Sequence, residues 1–334
     1  MFRNNYDNDS VTFSPQGRIF QVEYAAEAVK QGSVVVGIAS KTHVVLVAIK
    51  RNAEELSSYQ KKLFSIDEHV GIAIAGLTSD ARVLSNFMKQ QCLGHRLTYG
   101  RSMPVRSLVE MIGSKAQINT QHYGKRPYGV GLLIAGVDES GPHLFEFQPS
   151  GMTEEMVAFA IGARSQMART YLEKNLDKFA DCGREELIAH GLKALKESLV
   201  QDKELTVENT SVAVAGAKTK DGSSKSEPFK VYDGQDVNAW IENVADEKEA
   251  AAGGRALRVW TSTHRGMIMT TILLRDLRLP STSRNIYLVG RREPPAIRLA
   301  GRLAGQAEPR DRAFRRGTLY NKNQTSSTKR QIAR

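Results

Sequence analysis

The 334-residue chain reads as an α+β fold, with two β-sheets packed face to face and helices outside each. Three observations predict it. Short runs rich in valine and isoleucine are joined in pairs by turn residues, as hairpins are. Two long stretches with helical apolar spacing follow each group of strands. That block of strands and then helices occurs twice, which suits sheets that share one core and are shielded by helices on their outer faces. Periodicity by itself leaves the stacking order of the layers open.

The elements follow in order. Six of the ten residues from Met1 to Ser10 are Asn, Asp or Arg, a polar arm with little to bury and the composition of a mobile end. Ser14, Pro15, Gln16 and Gly17 reverse the chain, since proline presets one dihedral and glycine tolerates positive φ. Phe20, Tyr24 and Ala28 then recur four apart beside Glu23 and Glu27, which is an amphipathic helix. Val34 to Ala39 and Val44 to Ile49 form a strand hairpin through Ser40 to His43. A short strand at Leu63 to Ile66 precedes Val70 to Gly76. Helices are expected over Asp80 to Arg96 and Val105 to Tyr123, the second entered through Pro104, a residue suited to a first helical turn. Strands return at Gly129 to Val137, His143 to Gln148 and near Val157 to Ile161. A second helix pair covers Ser165 to Leu176 and Arg184 to Leu199. Strands at Ser211 to Ala215 and Phe229 to Tyr232 lead to a short helix at Asp236 to Asn243.

The net charge of +11 suggests nucleic acid until it is located. From Gly253 onward the chain holds 18 of the 47 basic residues and 4 of the 36 acidic ones, so residues 1–252 are slightly acidic at −3 and the tail alone carries +14. Arginine supplies 16 of those 18, whereas lysine outnumbers arginine before Gly253, so two unlike compositions meet near Ala250. Cys92 and Cys182 are the only cysteines, which favours a reducing compartment over a disulfide framework. No apolar run approaches the ~20 residues of a membrane-spanning helix, and no signal peptide opens the chain. The seven histidines never fall at zinc-ligand spacing. Gly129, Gly131 and Gly136 lie in a strand-like run without the turn-to-helix context of a dinucleotide site, so a packing role suits them better. No cofactor and no metal are expected.

The literal strings are more specific than the pattern. YDNDSVTFSPQGRIFQVEYAAEAV at Tyr6 to Val29 closely resembles the signature that opens the alpha subunits of the 20S proteasome. AGLTSDARVL at Ala75 to Leu84, GSKAQINTQHYGKRPYGVGLLIAG at Gly113 to Gly136 and IGARSQMARTYLE at Ile161 to Glu173 continue the resemblance, most like the alpha type-1 branch, so that it covers almost all of residues 1–244. It implies the four-layer αββα sandwich of the N-terminal nucleophile hydrolases.

The same resemblance implies a subunit without catalysis. In active relatives the first residue of the mature chain is the nucleophile and its free amine is the general base. Ser33 falls at that position but is internal, with an acylated nitrogen, although Gly32 before it is similar to a processing junction. Ile49 stands where active members carry an aspartate, and an apolar group cannot orient a lysine or bind developing charge. Lys62 alone of the supporting charged groups has a counterpart. Taken alone, Lys62 beside Lys61 is a solvated lysine; by resemblance it and Gly76 line a pocket between neighbouring subunits that receives the C-terminal tails of activators, for which a cation and close backbone approach are apt. Tyr6, Asp7, Pro15 and Tyr24 match, by resemblance, the cluster that holds alpha tails in an open-pore arrangement, whereas Tyr24 read alone is a core contact.

The expected protein is therefore a noncatalytic alpha-ring subunit that joins six other alpha subunits in a heptamer. That ring supports the beta ring, narrows the entrance for unfolded polypeptide and docks regulatory particles, in cytoplasm and nucleus, for ubiquitin-dependent degradation. Two rivals come from other classes: an active threonine-type peptidase, and a nucleic-acid-binding protein that uses its basic tail. Three segments are expected: an arm and turn at 1–18, the alpha-subunit domain at 19–244, and a disordered arginine-rich tail at 245–334. The tail contains MIMTTILL at Met267 to Leu274, an unguarded β-prone window that translation through an intron or in the wrong frame would explain.

Overall fold

The computed structural model describes residues 5–52, 56–199, 204–217 and 227–244. Strands β1 (Val35–Ala39) and β2 (His43–Ile49) form the expected hairpin, with Val36 opposite Val47 and Ile38 opposite Val45. They are followed by β3 (Leu63–Asp67) and β4 (Val70–Gly76), helices α2 (Thr78–Tyr99) and α3 (Val105–Gln121), and strands β5 (Val130–Asp138), β6 (Gly141–Phe147), β7 (Thr153–Glu155) and β8 (Ala158–Ile161). The described chain closes with α4 (Ser165–Lys174), a single turn α5 (Leu176–Phe179), α6 (Arg184–Glu197), β9 (Thr210–Gly216), β10 (Glu227–Asp233), a 3-10 turn at Gly234–Val237 and a helical stretch at 238–244. Helix α1 (Phe20–Gln31) precedes them all.

Two antiparallel five-stranded sheets result, ordered β10-β9-β2-β1-β8 and β3-β4-β5-β6-β7. Strict alternation of side chains assigns each residue to a layer. Along β2, Val44, Leu46 and Ala48 face the second sheet, while Val45 and Val47 face the helix layer, where α6 packs on this strand. Along β4, Ala73 and Ala75 face the first sheet, while Ile72 and Ile74 face α2 and α3. β5 repeats this with Leu133 and Ala135 inward and Leu132 and Ile134 outward. Burial of both faces is why these strands read as unbroken apolar runs. The stacking order that periodicity left open is thus helix, sheet, sheet, helix.

The helices present matching stripes. Ala81, Leu84, Met88 and Cys92 of α2 and Leu108, Val109, Ile112 and Ala116 of α3 cover the second sheet. Leu187, Ile188, Leu192 and Leu195 of α6 cover the first, with Gly191 letting the helix approach Val47. Cys92 and Cys182 lie in these opposite outer layers as free thiols. Helix α1 belongs to neither layer and crosses the end of the second sheet where β4 stops and β5 starts. There a Cβ on Gly131 would meet Val29 at 2.8 Å, which is the packing role expected of that glycine.

Departures from the expected elements have local causes. α2 runs past Arg96 to Tyr99 because Gly100, at φ 69°, is the first residue able to cap it in the left-handed region. The helix expected over Ser165 to Leu176 stops at Lys174, because Asn175 turns its side-chain amide onto Tyr171 O at 2.9 Å. β7 was not expected from the sequence; its three residues pair only with β6 and carry two exposed glutamates. The tail expected at 245–334 lies outside the described residues.

Candidate functional site

The arm leads into a turn of defined geometry. Ser14 accepts a hydrogen bond from Gly17 N at 2.9 Å and donates its own N–H to Arg18 O at 2.8 Å, with Pro15 inside the turn and Gly17 at φ 76°. Arg18 then pairs with Glu23 on the first turn of α1, its Nε donating at 2.7 Å. Upstream, Tyr24 donates its hydroxyl to Asp7 Oδ2 at 3.2 Å, and Gln21 donates to Asp7 O at 2.6 Å. Asp7 and Tyr24 thus meet, and Tyr24 is 46% exposed, which corrects its reading as a core contact. Tyr6 is also exposed, at 41%.

The arm is better anchored than its composition suggests. Asp9 accepts hydrogen bonds from Val11 N, Thr12 N and Thr12 Oγ1 at 2.8 to 3.0 Å, closing an Asx turn. Ser10 is buried and its hydroxyl faces Lys125 O at 2.9 Å and Asn119 O at 3.3 Å. Residues 1–4 lie outside the described chain.

Ser33 and Ile49 border one cavity of about 590 Å³, together with Arg51, Tyr59, Arg164 and Asn209. The Ser33 hydroxyl is buried and has no hydrogen-bond partner among the described residues. Its nitrogen is held in the peptide bond to Gly32, whose carbonyl accepts Ala163 N at 2.7 Å, so no free amine stands beside the hydroxyl. Ile49 packs against the helix-side core of the first sheet. Glu204 also borders the cavity, but the acylated nitrogen leaves Ser33 without the free amine that serves as general base in active relatives.

Lys62 is not the solvated lysine that its neighbour Lys61 suggested. Only 2% of it is exposed, and burial first, then Arg51, pull its ammonium pKa down to about 8. None of the described residues accepts a hydrogen bond from that ammonium. Its carbonyl accepts Ile74 N at 3.1 Å, so Lys62 lies alongside β4 two residues before Gly76. Gly76 has φ 111°, and a Cβ there would collide with Gly129 O. A Cβ on Gly32 would in turn collide with the backbone nitrogen of Gly76. Glycine is therefore needed at both positions where the end of α1 meets the end of β4.

Sequence reasoning passed over a further cluster. Asp80, on the first turn of α2, is 6% exposed and accepts both guanidinium nitrogens of Arg126 at 2.6 and 2.8 Å and Gly129 N at 2.9 Å. The Arg126 fork beside it holds the carboxyl below its ordinary range. Gly129 O also accepts Leu77 N at 2.9 Å. AGLTSDARVL and KRPYG were visible as strings, but a pairing across 46 residues carries no local signal.

Comparison with known proteins gives family matches over the segments that hold these residues. The family model for the proteasome subunit matches residues 29–215, and the model for the N-terminal signature of A-type proteasome subunits matches residues 6–28. A relative from Schizosaccharomyces pombe, described as a probable proteasome subunit of alpha type-6, is 58% identical over 252 residues, 75% of this chain and 90% of the relative. The alpha type-6 proteasome subunit of Saccharomyces cerevisiae is 57% identical over 243 residues, 72% of this chain and 100% of the relative. The alpha type-1 proteasome subunit of Dictyostelium discoideum is 46% identical over 249 residues, 74% of this chain and 97% of the relative.

Proposed function

The chain belongs to the proteasome subunit family as a noncatalytic alpha-type member that assembles with other proteasome subunits, and on that premise we propose that it forms part of a gated entry ring. It takes one position among seven alpha subunits, supports the beta ring, and admits unfolded polypeptide when a regulator docks. We assign it to the branch of its type-6 and type-1 relatives; the higher identities belong to the two fungal type-6 proteins. Among the described residues no helix is long and apolar enough to cross a membrane, and cytoplasm and nucleus are the proposed compartments.

A buried cation that meets no counter-charge among the described residues carries the docking half of this reading. Lys62 offers an ammonium beside the backbone of the β4 end, which suits the terminal carboxylate of an inserted activator tail. Tyr6, Asp7, Pro15 and Tyr24 are proposed as the gate half, with the Asp7–Tyr24 hydrogen bond as the contact that holds the arm in one of its arrangements. Residues 245–334 are proposed to lie outside the functional subunit, and no cofactor is proposed.

The test is Lys62→Ala in assembled core particles. A lost charge-assisted hydrogen bond costs on the order of 1.5 to 3 kcal/mol, so activators whose tails use this pocket should bind about ten- to a hundredfold more weakly while ring assembly persists. Unchanged affinity for every regulator would remove Lys62 from the docking surface.

A further inference from the structure

We infer that Asp80 and Arg126 are positioning residues that couple the docking pocket to the gate arm through the loop 122–129. This rests on the functional reading above and names the route inside the subunit. At one end of the loop, Lys125 O and the nearby Asn119 O face the Ser10 hydroxyl, the buried anchor from which the arm departs toward Asp7. At the other end, Gly129 O lies against Gly76 so closely that no side chain fits, and also accepts Leu77 N. Between them, the Arg126 fork closes on Asp80 with two hydrogen bonds, and the same carboxylate takes Gly129 N.

Each contact constrains the next. Gly76 is paired with Val130 across the β4–β5 ladder and Leu77 N is bonded to Gly129 O, so a tail that displaces the β4 end carries Gly129 with it. Gly129 and Arg126 are both tied to one carboxylate, which is buried on the first turn of a 22-residue helix and so is a firm point of reference. Rotation of the loop about Asp80 therefore moves Lys125 O, the acceptor that sets where the arm leaves the body. The guanidinium is largely exposed while its partner is buried, and a bidentate pair fixes orientation as well as distance. Lysine would keep the charge and lose the fork.

The experiment uses assembled core particles that carry Asp80→Asn, Arg126→Gln, both together, or Arg126→Lys. Three quantities are measured on each: peptide entry with and without a tail-inserting activator, activator affinity, and covalent titration of the beta active sites. The expected result is a fall of about fivefold in the ratio of stimulated to basal entry, within the usual range of a coupling free energy. Affinity and active-site titre stay at the parent level, and the double variant is no worse than either single one, because the two residues act as a unit. Arg126→Lys should retain only part of the ratio. An unchanged ratio in particles with a full active-site titre overturns the inference. If Asp80→Asn does not assemble, Arg126→Lys and Ser10→Ala decide the matter: a lowered ratio supports the coupling, and a parental ratio in both overturns it. Deletion of residues 1–8 in the same background separates the two levels. If it raises basal entry while the pair variants keep the parental ratio, only the coupling fails; if it leaves entry unchanged, the gate reading fails and the coupling with it.

Discussion

Among single residues, Lys62 is the one on which the proposed docking depends. Its folded pKa of about 8 lies below the ordinary 10.5, so the unfolded chain holds the proton more tightly and the isolated subunit gains stability as pH rises from about 8 toward 10.5. Near pH 7, confining the charged form costs about 3 kcal/mol, at roughly 1.4 kcal/mol for each unit of difference. Lys62→Met should therefore stabilise the isolated chain against denaturant near pH 7, and that advantage should shrink near pH 10. Docking carries the opposite dependence, because a carboxylate needs the ammonium. Activator affinity should fall as pH rises above about 8, whereas Lys62→Arg, whose charge does not titrate in this range, should lose that dependence. A flat affinity profile from about pH 7 to 9.5 in the parent would show that the ammonium takes no part.

Among the elements, the arm divides at Ser10. Residues 5–9 meet α1 through Asp7, with Gln21 and Tyr24 as its partners, while Ser10 is buried and the Asx turn of Asp9 to Thr12 sets the path into Pro15. Removing residues 1–8 should raise basal peptide entry into assembled particles and leave assembly intact, since little apolar surface is lost. Removing residues 1–12 should in addition lower the yield of assembled particles, because it strips the buried anchor from the loop 122–129. Peptide hydrolysis and native gels on the two deletions check both statements; equal assembly would mean that Ser10 contributes nothing to the body.

At the scale of the whole molecule, the described residues form the sandwich of an N-terminal nucleophile hydrolase in a noncatalytic alpha-type subunit. The nitrogen of Ser33 is acylated by Gly32, and Ile49 falls, by resemblance, where active members carry an aspartate, so incubation with fluorogenic peptides and a covalent threonine-protease probe should leave the purified chain unlabelled. Labelling of Ser33 in a processed chain would restore the peptidase reading. The two family models together span residues 6–215, and the three relatives align over 243 to 252 residues. A chain ended at Ala252 should therefore enter rings as the full chain does, with native mass spectrometry reporting stoichiometry. Failure of the shortened chain to assemble, where the full chain succeeds, would give the arginine-rich segment a structural role.

The two sheets and their helices were legible in the linear chain, because strand and helix periods are local and burial on both faces makes the runs of β2, β4, β5 and β9 plain. Ordered strings likewise carried the family and, through the alpha-type signature, the noncatalytic assignment. Periodicity left the order of the layers open and only the resemblance implied it, since physically it depends on which alternate set of side chains meets across the sheets. Folding also buries Lys62 beside an apolar strand although it follows another lysine, and makes Ser10 an anchor within a polar arm. Asp80 with Arg126 is the clearest such case. Each is an ordinary surface-type residue in its own segment, and their pairing arises only when the end of β4, the start of α2 and the loop before β5 are brought to one end of the second sheet, a long-range consequence of packing that no local propensity encodes.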